Sequence, residues 1–142
     1  GFRENPCACT ALEQLAALST TLQAMAPWND LANAAYCQDR ESAGSLWVDC
    51  ATIDGVQLPA AVNGYSAGLA GALPSSLGDL GPSLTELDLP SNAITSVPTE
   101  LGALTGLMYL GLGTNAITSV PTEIAALTGL TYLVLAGNQL TG

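Results

Sequence analysis

The chain has 142 residues, twelve of them acidic and two basic, with no histidine and a formal net charge of −10. Its two cations, Arg3 and Arg40, are too few to displace counterions from a nucleic-acid backbone, and the same negative field disfavours an anionic membrane surface. Without histidine no Ser-His-Asp or Cys-His arrangement can be built, and a zinc site would be limited to cysteine and carboxylate ligands.

Cys7, Cys9, Cys37 and Cys50 all fall in the first fifty residues. An even count confined to one end reads as a disulfide-stapled cap in an oxidising, extracellular setting. Four cysteines allow three connectivities. A ring closed between Cys7 and Cys9 would be strained, which favours a bond from each to Cys37 or Cys50. No apolar run approaches the roughly 20 residues that span a bilayer. No signal peptide is visible, and Gly1 reads as a mature N-terminus.

Residues 10–26 place Leu12, Leu15, Ala16, Leu18, Leu22 and Met25 at helical spacing, with Thr10 and Glu13 as a capping box. Pro27 ends that helix, and a second short one is expected over 30–36. The polar stretch 38–45 reads as a loop, and Leu46–Cys50 as a strand. The cap is therefore assigned to 1–52.

Residues 53–83 read as an irregular first repeat with an insertion. Ile53, Val56, Leu58 and Pro59 align with Leu84, Leu87, Leu89 and Pro90, leaving about six extra residues within 60–68. Residues 84–142 carry regular repeats, the last incomplete. Leu84, Leu107 and Leu130, and Asn92, Asn115 and Asn138, each recur after 23 residues. A fixed period of that length marks a solenoid. Each unit reads L-x-x-L-x-L-x-x-N-x-L and resembles a leucine-rich repeat. The resemblance extends to the start of the chain. Secreted plant, protist and bacterial proteins of this kind often open with an AL..L..L helix, a Trp-Asn or Trp-Thr element and a W-x-G-V-x-C strand. Here Ala11-Leu12, Leu15 and Leu18, then Trp28-Asn29, then Trp47-Val48-Asp49-Cys50 are similar. The glycine of that motif is absent and the Cys37–Cys50 gap is longer.

The resemblance implies an α/β solenoid, a right-handed superhelix with a parallel concave sheet behind a helical cysteine cap. Inward-pointing leucines build the core, and Asn92, Asn115 and Asn138 turn the chain and bond neighbouring turns as a ladder. None of the seven asparagines lies in an N-x-S/T sequon. Pro98 and Pro121 start the convex segments. The non-leucine strand positions form concave columns: Glu86, Tyr109 and Tyr132; Asp88, Gly111 and Val134; Thr85, Met108 and Thr131. Of these, Glu86, Asp88, Met108, Tyr109, Tyr132 and Val134 are the candidate binding residues. The last layer, Leu130, Leu133, Leu135 and Leu140, has no capping unit after it in this sequence. It is a candidate end-on interface, unless further chain covers it.

No catalytic residue, cofactor or metal site is expected, since an enzyme could rest only on carboxylate pairs. The expected function is a non-catalytic, secreted or cell-surface module for protein–protein interaction or assembly. Two alternatives are a structural subunit of an extracellular filament or surface assembly, and an inhibitor of extracellular carbohydrate-degrading enzymes of the polygalacturonase-inhibitor kind. The partner would be a protein or a second copy, or else a glycan; nucleic acid and membrane insertion are not expected.

Overall fold

The computed structural model describes residues 47–54 and 56–141. The helices expected over 10–26 and 30–36 lie outside the described residues, as do Cys7, Cys9 and Cys37. Cys50 falls on the first strand, opposite Pro59.

The described chain opens with an antiparallel hairpin of β1 (Trp47–Ile53) and β2 (Val56–Asn63). Ile53 and Val56 form its closing pair. The two residues between them are Asp54 and Gly55, a dipeptide suited to a two-residue turn, and Asp54 has a left-handed φ of 52°. From β2 the sheet becomes parallel. Ala61–Asn63 pairs with β4 (Glu86–Asp88), β4 with β6 (Tyr109–Gly111), and β6 with β7 (Tyr132–Val134). The order β1-β2-β4-β6-β7 makes a five-stranded sheet among the described residues. A smaller sheet pairs β3 (Ala70–Ala72) with β5 (Ala93–Ser96). Short 3-10 helices η1 (Ser75–Leu80), η2 (Thr99–Ala103) and η3 (Thr122–Ala126) lead back toward the next strand of the main sheet.

The pairing of the first turn differs from the alignment expected above. Val62, not Val56, stands opposite Leu87. Gly64 N–H donates to Asp88 O as Leu89 N–H does to Gly111 O, and Ser66 follows the pattern of Ser91. Val62, Gly64, Ala67 and Leu69 thus occupy the places of Leu87, Leu89, Asn92 and Ile94. Residues 60–68 are strand end and turn, with Val62 and Ala67 fully buried, as is Leu69 just after them. The Leu58-Pro59 pair imitates Leu89-Pro90 in letters only, because residues 56–59 are paired with β1.

The core is a stack of leucines. Leu84, Leu87, Leu89, Leu101 and Leu104 of one turn, and Leu107, Leu110 and Leu112 of the next, are wholly excluded from solvent. Each such side chain contributes roughly 1.5–3 kcal/mol of burial, but only because the neighbouring turn supplies the other half of its packing. Pro74, Pro98 and Pro121 sit at the N-caps of the three helices in extended conformation, φ −72°, −75° and −67°. The three proline carbonyls accept the N–H groups of Leu77, Leu101 and Ile124, three residues on in each case. Turns approach closely at Gly106, where an added Cβ would run into the Pro82 carbonyl oxygen.

The asparagines join the turns. Ser66, Ser91, Thr114 and Gly137 each have positive φ, and the next residue in each case is Ala67, Asn92, Asn115 or Asn138. Asn115 Oδ1 accepts from Ile94 N–H at 3.1 Å, while its amide donates to Leu89 O at 3.1 Å and to Leu112 O at 3.0 Å. Asn92 bonds Leu69 N–H and Gly64 O in the same way. Asn138 bonds Ile117 N–H and Leu112 O. Among the described residues no buried side-chain polar atom lacks a partner.

Candidate functional site

The concave face is the outward side of β4, β6 and β7. Register places Glu86, Tyr109 and Tyr132 in one column, and Asp88, Gly111 and Val134 in a second. Between them runs the inward column Leu87, Leu110 and Leu133. Alternation along each three-residue strand therefore sends the leucine to the core and its two neighbours to the surface.

Tyr109 and Tyr132 contact one another across the strands, with ring centroids 6.0 Å apart and planes inclined by 39°. That tilted offset is a favourable aromatic geometry. Contact leaves Tyr109 half-buried and Tyr132 65 % exposed, and Met108, beside Tyr109 in the chain, is 51 % exposed. The pair is at once a packed unit and an open aromatic surface. Thr85 and Thr131 flank it, their hydroxyls tied back to Ala60 O and Met108 O at 3.0 and 2.9 Å.

Gly111 shapes the floor. A Cβ there would collide with Asp88 Oδ1 and lie 2.9 Å from Tyr109 Cε1. The missing side chain thus lets the Asp88 carboxylate lie over β6 next to the Tyr109 ring. Partial burial pushes the Asp88 carboxyl above its ordinary value, and the charge of Glu86 adds to the rise. The Tyr109 hydroxyl is raised by burial first, then by Asp88 and Glu86. Every one of these influences disfavours further negative charge at this face.

Of the candidate residues, β4, β6 and β7 bring Glu86, Asp88, Tyr109, Tyr132 and Val134 onto one surface, with Met108 at its edge. Asn92, Asn115 and Asn138 lie elsewhere, inside the turn that follows each strand. Leu130, Leu133, Leu135 and Leu140 belong to the last layer. Leu133 is 46 % exposed, whereas Leu87 and Leu110 of the same column are fully buried. The part played by Gly111 escaped the sequence reading, since a glycine in a column of concave residues looks like a gap. Its signal was the large carboxylate side chain one repeat earlier. Among the described residues no group of three or more cysteine, aspartate or glutamate side chains could hold a metal.

Residues 82–140 match the family described as Leucine rich repeat. The ectodomain of the receptor kinase SOBIR1 from Arabidopsis thaliana superposes with a TM-score of 0.71 at 19 % identity, covering 97 % of this chain and 70 % of that one. The BIR3–SERK2 complex from the same plant gives 0.54 at 24 % identity, covering 94 % and 83 %. A leucine-rich-repeat protein of Leptospira interrogans is 31 % identical over 52 % of this chain, with a TM-score of 0.47; the match spans 21 % of that protein. No curated protein matches significantly. The repeat match and the ladder of parallel strands support a leucine-rich-repeat protein with a solenoid fold. Among the described residues no helix is long and apolar enough to cross a membrane.

Proposed function

We propose that this chain is a non-catalytic, extracellular binding module that engages a protein partner through its concave sheet. The observation that carries this reading is the tyrosine pair, Tyr132 exposed and Tyr109 half-buried against it, held on adjacent parallel strands and bordered by the exposed Met108 and Val134. Rigid aromatic side chains offer large contact area at little entropic cost, which is why tyrosine is enriched at interfaces. The cysteine cap, with each of Cys7 and Cys9 bonded to Cys37 or Cys50, belongs to the same proposal and suits an oxidising compartment. The repeat match and the receptor-ectodomain neighbours, which share the fold, agree with a display scaffold.

A photo-crosslinking amino acid placed at Met108, and separately at the exposed convex residue Thr122, tests the reading. The labelled protein is irradiated in secreted material from its source. Adducts at 108 and not at 122 are expected. No adduct at 108, or equal labelling at both, would count against a concave binding face.

A further inference from the structure

Every charged side chain among the described residues is acidic; Arg3 and Arg40 fall outside them. Among the described residues, the concave face therefore carries carboxylates with no counter-charge. Glu86 and Asp88 stand two residues apart on one side of β4, and the tyrosine pair begins on the next strand of the sheet. A partner covering Met108, Tyr132 and Val134 would also strip water from these two carboxylates. Buried without a counter-charge, they would oppose binding. A neutral apolar partner is a poor fit on that ground, and a phosphate, sulfate or acidic glycan a worse one.

The side chain that answers both demands is arginine. Its planar guanidinium stacks on an aromatic face while its fork of N–H donors engages carboxylate oxygens, which a lysine ammonium does less well. The spacing suits it. Adjacent strands lie about 4.8 Å apart, so a guanidinium over Tyr109 is within reach of both β4 carboxylates.

Resting on the concave-face reading above, we propose that the surface of Met108, Tyr109, Tyr132 and Val134 docks a basic protein segment, one arginine of which lies on the tyrosine pair and forks onto Asp88 and Glu86. The raised Asp88 carboxyl agrees with this: a guanidinium brought beside it would draw its pKa down, so binding should weaken as pH falls through the range where Asp88 takes up its proton.

The test is a nuclear magnetic resonance titration of the full chain, isotope-labelled, with the capped peptide Gly-Ser-Leu-Arg-Leu-Ser-Gly. Its counterpart carries citrulline, the neutral isostere of arginine. The arginine peptide should move the amides of Tyr109, Gly111 and Tyr132. Citrulline should weaken binding by about tenfold or more, the size of one lost charge-assisted hydrogen bond. Asp88→Asn should weaken the arginine peptide similarly, while Glu100→Gln, the same charge change on a convex helix, should not. Equal binding of the two peptides at these amides would overturn the arginine inference and leave the concave reading standing. Equal weakening by Glu100→Gln would overturn it as well, reducing the effect to net charge. So would the absence of concave shifts with either peptide. Movement of the same amides on raising protein concentration without peptide would make the occupant a second copy and also overturn it. Photo-adducts at Met108 test the underlying function independently.

Discussion

Replacing Asn115 with alanine should destabilise this protein more than any surface substitution, and the hydrogen bonds say how much. Its amide donates to the carbonyls of Leu89, Leu112 and Gly113. Each of those has a second donor: Asn92 Nδ2 on Leu89 at 3.1 Å, Asn138 Nδ2 on Leu112 at 2.8 Å, and Ser91 N–H on Gly113 at 3.0 Å. Truncation therefore weakens three carbonyls and strands one buried donor, the Ile94 N–H that Asn115 Oδ1 accepts. A stranded buried donor costs about 1–3 kcal/mol, and loss of the remaining bonds adds about 1 kcal/mol net. The expected penalty is roughly 2–4 kcal/mol, read from the urea midpoint. Hydrogen exchange localises it, because the Ile94 amide should lose protection first. Asn115→Asp sharpens the case. One oxygen can still accept from Ile94, but the other faces carbonyls. Aspartate should cost more than alanine at pH 7 and recover part of the loss in acid, where the folded state favours the protonated form. An alanine penalty below about 0.5 kcal/mol, or unchanged Ile94 exchange, would refute the ladder's energetic role.

Other expectations follow from residues that share a column but differ in surroundings. Gly106→Ala should cost roughly 1–3 kcal/mol, because the methyl meets the Pro82 carbonyl. Gly129→Ala, whose added Cβ would come no closer than 3.8 Å to the Leu107 carbonyl oxygen, should stay within about 0.5 kcal/mol; equal penalties would show the close approach to be unimportant. Leu110→Ala should cost about 2–5 kcal/mol and Leu133→Ala about 1 kcal/mol or less, since one is buried and the other 46 % exposed. A matching loss for Leu133 in dilute solution would mean that something covers the last layer. Asp88→Asn should raise the melting temperature at pH 7, where the raised carboxyl of the parent is ionised at a cost. That advantage should shrink as pH falls through the folded pKa and vanish below the ordinary value of 3.8. An advantage constant from pH 7 to pH 3 would sink the assignment of burial and Glu86 as its cause.

The regular repeats were legible because their inward positions are written in one residue type. Leucine at 84, 87 and 89, then asparagine at 92, recurs so strictly that the spacing alone gives the parallel register of β4, β6 and β7. The start of the first turn was not legible, for the same reason inverted. It builds the same shape from Val62, Gly64 and Ala67, none of which matches the repeat's usual letter at its position, and only at Leu69 does the familiar aliphatic return. Gly64 is tolerated where Leu89 stands, and Ala67 where Asn92 stands. The hairpin was overlooked because Leu58 and Pro59 offered a false match, although Asp54-Gly55 carries a turn signal of its own. At the candidate face the column of tyrosines was legible from spacing. The Asp88 side chain lying over Gly111 was not, since it depends on which way a carboxylate leans once its neighbour has no side chain.

The asparagine ladder gives the stack a direction. Asn92, Asn115 and Asn138 each accept an N–H and donate to a carbonyl of the turn before their own. Each turn is thus latched onto its N-terminal neighbour, so a turn is released once the one that follows it has gone. Drawn out mechanically from the side of Asn138, the solenoid should yield as a ratchet, one turn per event. Each event would free roughly 75 Å of extended chain, at about 3.3 Å for every residue of a 23-residue turn. Among the described residues, the opposite side of the stack is the β1–β2 hairpin, held by antiparallel cross-strand bonds in place of an asparagine latch.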